Sequence, residues 1–477
     1  MSDRLNFSVE LGKRPQQKSI RGPEKSSLSV VILGSFSGGG GTGTGNPLSE
    51  LTPSLHKVDI DTLDRVISQL QPTLDIALND SGQSLKIEFS CMEHFHPDQL
   101  CARLDLFHTL GNDDEVIGSG EATPVNGEKP GQGESDQQTM SRLLGKRSLN
   151  VEQRQSDTSA ISDSKQSKIE EVVRRLAETP SHYDKQNEPK ADNLHPDPSQ
   201  KTTTLLRYLL HSEAFKTLEA SWRSIDWLLR STEPDMAIHF YLLNTPRQVL
   251  EKDLLTNDDP HSSLIHQLIQ QQVMDGTPSE VDFILMDNHS YTTNEHDLMM
   301  LDSLGRLVNS FNGRMFTAAD KCFYGDEDSD KLDLEAWHAF RETPIACRIS
   351  LLLPPTLLRL PYGADTDPIE SFPYEELDDS WRIKELLWGN PAYALLILLV
   401  QQWMSDNPSD DSIIADLPAY TYQQDSEQYL QPCTELLLEE RQIHRLLDLG
   451  LVPIIGSRKT NSIQLPWFQT LGLNDNA

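Results

Sequence analysis

The sequence predicts an α/β protein made of two patterned segments with a flexible tether between them. Three observations carry this. Short apolar, β-rich runs alternate with amphipathic helical stretches from about residue 28 to 110 and again from about 203 to 470. The stretch between them is rich in Gly, Ser, Gln, Pro and charge, with too little apolar surface to offset the entropy of ordering. A chain of 477 residues is long enough for two or three domains, each with its own core.

The elements follow in order. Residues 1–24 form a flexible N-terminus, and MSDRLNFSVELGKRP has no apolar stretch between its charges to act as a secretory signal. LSVVILGSF (28–36) is a strand bounded by glycine. VDIDTLDRVISQL (58–70) begins with alternation and then sets Ile60, Leu63, Val66, Ile67 and Leu70 at helical spacing, with Asp59 or Asp61 placed to cap the helix. In LKIEFSCMEHFHPDQL (85–100), Leu85, Ile87 and Phe89 alternate as a half-buried strand, and Pro97 opens a helix at a position that needs no amide donor.

The tether spans 111–202 and holds one patterned island. In SKIEEVVRRLAETP (167–180), Ile169, Val172, Val173 and Leu176 make an apolar stripe behind a serine cap. The island, 167–178, is a candidate docking helix, with a plain spacer helix as the alternative.

From 203 the pattern is globular again. LLRYLLHSEAFKTLEASWRSIDWLLRS is a long amphipathic region; MAIHFYLLN, EVDFILMDN and ACRISLLLPP are strands; LMMLDSLGRLVNSF is helical. AYALLILLV (392–400) falls far short of the roughly 20 apolar residues of a membrane span and reads as a buried helix.

Charge and chemistry narrow the function. With 73 acidic against 41 basic side chains, the formal net charge of −32 repels nucleic acid and anionic lipid, so neither is an expected partner. Five scattered cysteines, Cys91, Cys101, Cys322, Cys347 and Cys433, without a CxxC pair, point to reduced thiols in a cytoplasmic protein.

The glycine run GGGGTGTG (38–45) follows a strand, as phosphate loops do, but Asn46, Pro47 and Leu48 come next where a phosphate loop needs Lys and Ser or Thr. No helix opens there either, so the run reads as a flexible loop. Cys91, His94, His96, Cys101 and His108 are metal-ligand types without metal-site spacing; they read as structural residues at a strand-to-helix turn, with Asp98 at the helix start. Asp365, Asp367, Glu370, Glu375, Glu376, Asp378 and Asp379 read as a solvated acidic loop. No GxSxG elbow appears. Catalytic residues, cofactors and metals are therefore not expected.

Three motifs carry a family resemblance. HSEAFKTLEASWRSIDWLL (211–229), LLRLPYGADTDPIESFPYEE (357–376) and LLWGNPAYAL (386–395) resemble, in order, the large subunit of the type VI secretion contractile sheath. The first segment is similar to the small sheath subunit through VVILGSF, HKVDIDTLDRVISQLQPTLDIAL and LKIEFSCMEHFHPDQL, with the glycine run as an elongated linker after the first strand. SKIEEVVRRLAETPS is similar to the helix that an AAA+ unfoldase grips near the start of the large subunit.

The resemblance implies an α/β fold with a small-subunit-like domain at 25–110 and a large-subunit-like domain at 203–472, joined by a disordered tether. It also implies a non-enzymatic structural part of the type VI apparatus, whose partners are sheath or baseplate proteins and an AAA+ unfoldase. Two departures shape that expectation: one chain holds what are normally two, and the large-subunit likeness stops near LPWFQTLGL, short of the family's C-terminal strands. The role that follows is a specialised ring, cap or adaptor. A full sheath protomer is the first alternative, and a nucleotide-binding protein the second. Trp222, Arg223, Arg359, Tyr362, Trp388 and Asn390 are the residues expected to hold the core or its interfaces. Trp222 and Trp227 would fill a core, and Gly363 and Gly389 would permit turns.

Overall fold

The computed structural model describes residues 27–38, 52–77, 84–104, 198–232, 237–257, 259–273, 281–325, 332–378, 382–404, 412–424 and 427–473. The glycine run beyond Gly38, the 105–197 stretch and the candidate docking helix lie outside them.

A seven-stranded sheet organises the chain. β1 (Leu28–Gly34) lies parallel between β5 (Ile238–Asn244) and β6 (Phe283–Tyr291). β2 (Ser54–Val58) closes one edge antiparallel to β5, while β7 (Arg314–Ala319), β8 (Ile349–Leu353) and β14 (Val452–Pro453) extend the other side in parallel, giving the order β14-β8-β7-β6-β1-β5-β2. Because successive side chains of a strand point to opposite faces, Val30 and Ile32 of β1 enter one core and Val31 and Leu33 the other. All seven β1 residues are buried, as a central parallel strand requires.

Helices cover both faces. On one side lie α1 (Leu63–Leu70), α2 (Pro97–Arg103), α3 (Pro198–His211), α4 (Glu213–Arg230) and α9 (Ala392–Met404). On the other lie α5 (Arg247–Thr256), α6 (Leu264–Val273), α7 (Glu295–Ser310), α8 (Leu334–Arg341) and α10 (Glu440–Asp448). The smaller pairings are the hairpins β3 (Thr73–Ala77) with β4 (Ser84–Glu88) and β12 (Tyr420–Gln424) with β13 (Glu427–Gln431). Short β9 (Thr356–Leu357) pairs with β10 (Trp388–Gly389), and β16 (Ile463–Gln464) pairs with both β11 (Ile413–Ile414) and β15 (Ile455–Gly456).

The α/β expectation and the element types hold at most positions. α9 is apolar all round and its residues 392–400 are all buried, and no described helix is long and apolar enough to cross a membrane. Pro97 occupies the first turn of α2. At α1, Asp59 rather than Asp61 serves the helix start, its carboxylate accepting from the Thr62 amide at 2.9 Å.

Two expectations change. α3 begins at Pro198, inside the stretch whose composition reads as tether to 202; Leu205, Leu206, Leu209 and Leu210 pull the helix onto the core despite its Thr-rich start. β7, a sheet strand with five of its six residues buried, has no counterpart among the expected strands, because RMFTAA is short and does not alternate, although Asn312-Gly313 before it is a turn signal.

Candidate functional site

The motifs from 211–229 and 357–376 meet in a buried ionic network. α4 presents Glu219 and, one turn on, Arg223, whose Nε donates to Glu219 Oε1 at 2.7 Å. Arg359, just after β9, lies between two carboxylates: its guanidinium donates to Glu219 Oε1 at 2.8 Å and Oε2 at 3.3 Å, and to Glu376 Oε2 at 2.7 Å and Oε1 at 3.0 Å. This is bidentate pairing on both sides, the geometry a planar guanidinium suits and an ammonium does not.

Tyr362 completes the network. Its hydroxyl accepts from Arg223 Nη2 at 2.9 Å, its amide donates to Glu376 Oε2 at 2.8 Å, and its ring lies 4.3 Å from the Arg359 guanidinium carbon. His211 Nε2 stands 3.7 Å from Glu376 Oε1. Glu219 is fully buried, Glu376 is 2% exposed and Arg359 7%.

The electrostatics follow from that enclosure. Burial pushes the Glu376 carboxyl up, but the Arg359 guanidinium beside it wins and holds it at about 2. Burial also pulls the Arg359 proton off, yet Glu219 and Glu376 outweigh this and raise Arg359 well above its ordinary value. Tyr362, desolvated, rises to about 12. The two arginines and the two glutamates are paired with one another, so the arrangement fixes geometry.

Arg223, Arg359 and Tyr362 are thus brought together by α4 and the segment after β9, while Trp222, on the same helix, reaches Phe36 instead. Trp222 is fully buried, and Trp227 packs half-buried against the same core. Asn390 sits elsewhere: its Nδ2 donates to the Met286 carbonyl at 3.0 Å and its Oδ1 accepts from Ala392 N at 2.9 Å, tying the start of α9 to β6. Trp388 lies in β10, and its Nε1 donates to the Ile383 carbonyl at 2.8 Å. Gly363 opens the turn expected of it, its carbonyl accepting from Thr366 N at 3.1 Å. At Gly389 the need is different: a Cβ there would stand 2.7 Å from the Leu358 side chain, so close approach selects glycine.

The acidic loop needs a correction. Asp365, Asp367, Glu370, Glu375 and Asp378 are exposed as expected, but Glu376 is buried in the network. Two partners were missed by sequence reasoning, Glu219 and Glu376. A signal for the first exists: Glu219 falls on the apolar stripe of α4, beside Leu218 and Trp222, with an arginine four residues on.

The glycine run begins where open α/β sheets bind ligands, at the carboxyl ends of β1 and its neighbours. The first amides past β1 are already occupied. Ser35 N donates to Asn288 Oδ1 and Phe36 N to Asn244 Oδ1, both at 2.9 Å. The Phe36 ring is fully buried, 5.7 Å from the Trp222 ring, and the Trp222 indole donates to the Phe36 carbonyl at 3.2 Å. These two amides are spent on side-chain carbonyls, and the run beyond Gly38 lies outside the described residues.

Nearby, Asp287 on β6 is the contrasting carboxylate. It lies in the irregular stretch between Leu285 and Ser290, is 3% exposed, and its Oδ2 has no hydrogen-bond partner. Burial raises its carboxyl above the ordinary value, opposed by Ser221, the Asn288 amide, Asn390 and Tyr393.

Of the metal-type residues, His94 and His96 serve local structure, and His108 lies outside the described residues. His96 Nδ1 accepts from Asp98 N at 3.3 Å at the start of α2, and His94 Nδ1 accepts from Ser90 N at 3.1 Å. Among the described residues no three His, Cys, Asp or Glu converge as a metal site.

Two comparisons with known proteins bear on this arrangement. Residues 199–470 match the family model described as VipB: EvpB/VC_A0108, tail sheath N-terminal domain, a span that holds all three motifs and the whole ionic network. The chain is also similar to the type VI secretion system sheath protein TssC1 of Pseudomonas aeruginosa, 25% identical over an aligned length of 284 residues, a match that covers 55% of this chain. The match spans 57% of that relative's own length.

Proposed function

The chain belongs to the VipB tail sheath family, and from that premise we propose that it is a non-enzymatic structural component of a type VI secretion apparatus, working in the cytoplasm. The observation that carries this reading is the position of β1. A strand from the first segment lies between β5 and β6 of the family domain, in register over Leu28–Gly34 with β5. In this reading residues 25–110 stand for the small sheath subunit and 203–472 for the large one, and the tether keeps the pair at high effective concentration. The network of Glu219, Arg223, Arg359, Tyr362 and Glu376 then holds the body rigid under load, and subunit movement replaces bond chemistry.

The partners are other sheath or baseplate proteins, with an AAA+ unfoldase engaging 167–178 through Ile169, Val172, Val173 and Leu176. The chain serves as a ring, cap or adaptor on them, or as a protomer of the sheath itself. Negative-stain electron microscopy of the purified protein, alone and mixed with a pair of ordinary sheath subunits, separates these roles. Tubes or rings from the protein alone identify a protomer; discrete particles that bind sheath ends or shorten sheaths identify a cap or adaptor. Particles that neither assemble nor touch sheaths would defeat the structural reading.

A further inference from the structure

The loop between β9 and the 382–385 turn leaves the ionic network and returns to it. It departs at Tyr362 and re-enters at Glu376, and between them Ala364, Asp365, Asp367, Pro368, Glu370, Ser371 and Pro373 are exposed. Its inner half is tied to itself: Gly363 N donates to the Asp367 carbonyl at 3.0 Å, and Ala364 N to Glu375 Oε1 at 3.0 Å.

The outer half is held from far away in sequence. Asp98 Oδ2 accepts from Glu370 N at 2.9 Å, and Asp98 Oδ1 accepts from Ser371 N at 2.9 Å and from the Ser371 hydroxyl at 2.5 Å. Asp98 sits in the first turn of α2, where a carboxylate ordinarily serves its own helix, and it is His96, two residues earlier at the cap position, that accepts from the Asp98 amide instead. The His96 ring also meets the Tyr362 ring edge-on at 5.1 Å. Ile369 and Phe372 pack half-buried on the same core.

We propose that residues 363–373 form a strap with Asp98 as its catch, so that the seating of α2 on the body decides whether the strap lies closed beside the ionic network. The chemistry is specific. One carboxylate gathers three donors from two consecutive residues, and such charge-assisted bonds are about twice as strong as neutral ones. With the catch open, the outer half of the strap keeps only the half-buried Ile369 and Phe372 between its ends, and water gains access to Tyr362 and Glu376, where the strength of the ion pairs depends on exclusion of water. The first segment thereby reports its docking to a loop that lies 272 residues away in sequence. This device stands on contacts within one chain and holds whatever the chain builds.

Hydrogen–deuterium exchange of the full-length protein tests it, comparing the wild type with Asp98→Asn and Ser371→Ala. In Asp98→Asn, peptides covering 363–373 are expected to exchange about tenfold faster, the equivalent of about 1.4 kcal/mol, while peptides over β1 and β6 keep their protection. Ser371→Ala, which removes one of the three donors, should give a smaller acceleration at the same peptides. Unchanged strap exchange in Asp98→Asn would overturn the proposal. So would faster exchange spread equally over β1 and β6, since Asp98 would then be supporting the whole fold.

Discussion

Glu376 and Asp287 are both buried carboxylates, and their surroundings drive them in opposite directions. Glu376 is 2% exposed beside Arg359 and is held ionised, at about 2. Asp287 is 3% exposed among hydroxyl and amide groups and is pushed toward its neutral form. Burial is nearly the same, so the charge state is decided by whether a guanidinium is present. One site is a fully paired network and the other a lone acid with an unsatisfied oxygen, and the two should respond oppositely to the same kinds of change.

The largest effect is expected at the guanidinium. Arg359→Ala leaves Glu219 and Glu376 facing each other in a dry core and should destabilise the protein by about 3–5 kcal/mol, read from the shift in urea midpoint. Arg359→Lys should recover only part of this, because one ammonium cannot pair bidentately with two carboxylates. A loss below about 1 kcal/mol in Arg359→Ala would mean that water reaches the network and screens it.

Acid should break the same site by another route. The folded value of Glu376, about 2, lies below its ordinary 4.5, so the folded state binds this proton less readily than the unfolded state. The stabilisation is therefore complete above about 4.5 and lost as the pH falls through the window from there to about 2. It amounts to up to about 3 kcal/mol. Urea melts across that window should slope steeply for the wild type and less for Glu376→Gln; parallel slopes would show that another group governs acid unfolding.

Asp287 reverses the sign. Its folded value is raised, so above the ordinary 3.8 the unfolded chain ionises while the folded acid resists, and stability declines as the pH rises. Asp287→Asn removes that decline. The variant should gain on the order of 1 kcal/mol over the wild type at pH 7 and nothing below about pH 3. A loss at pH 7 would place an ionised carboxylate at this position.

Much of this contrast was out of reach of the sequence, for a physical reason. β1, α1, α2, β5, β6, β8 and α9 were legible because period and punctuation are local. Arg359 and Tyr362 stood out through their motif. Their partners did not, because pairing across 140 residues, as between Glu219 and Arg359, leaves no local trace. Glu376 sits in a run of exposed acids, and only the backbone path separates it from Glu375 beside it. The insertion of β1 between β5 and β6 is likewise a long-range fact, since an apolar run states that a strand is buried and says nothing of its neighbours.

The smallest effect separates two tryptophans of the motifs. The Trp222 indole donates to the Phe36 carbonyl from a fully buried position, so it joins the first segment to α4. The Trp388 indole donates to the Ile383 carbonyl at 2.8 Å, only five residues away and with water at hand. Trp388→Phe keeps the ring against its surroundings and gives up that bond, whose carbonyl water can then satisfy. A loss of about 0.5–1 kcal/mol is expected in urea melts. A loss of 3 kcal/mol or more, the scale of a large buried aromatic cut to alanine, would mean that the β9–β10 pairing itself depends on this indole, and that the short strand pair joining the second and third motifs is as much a part of the core as the network it borders.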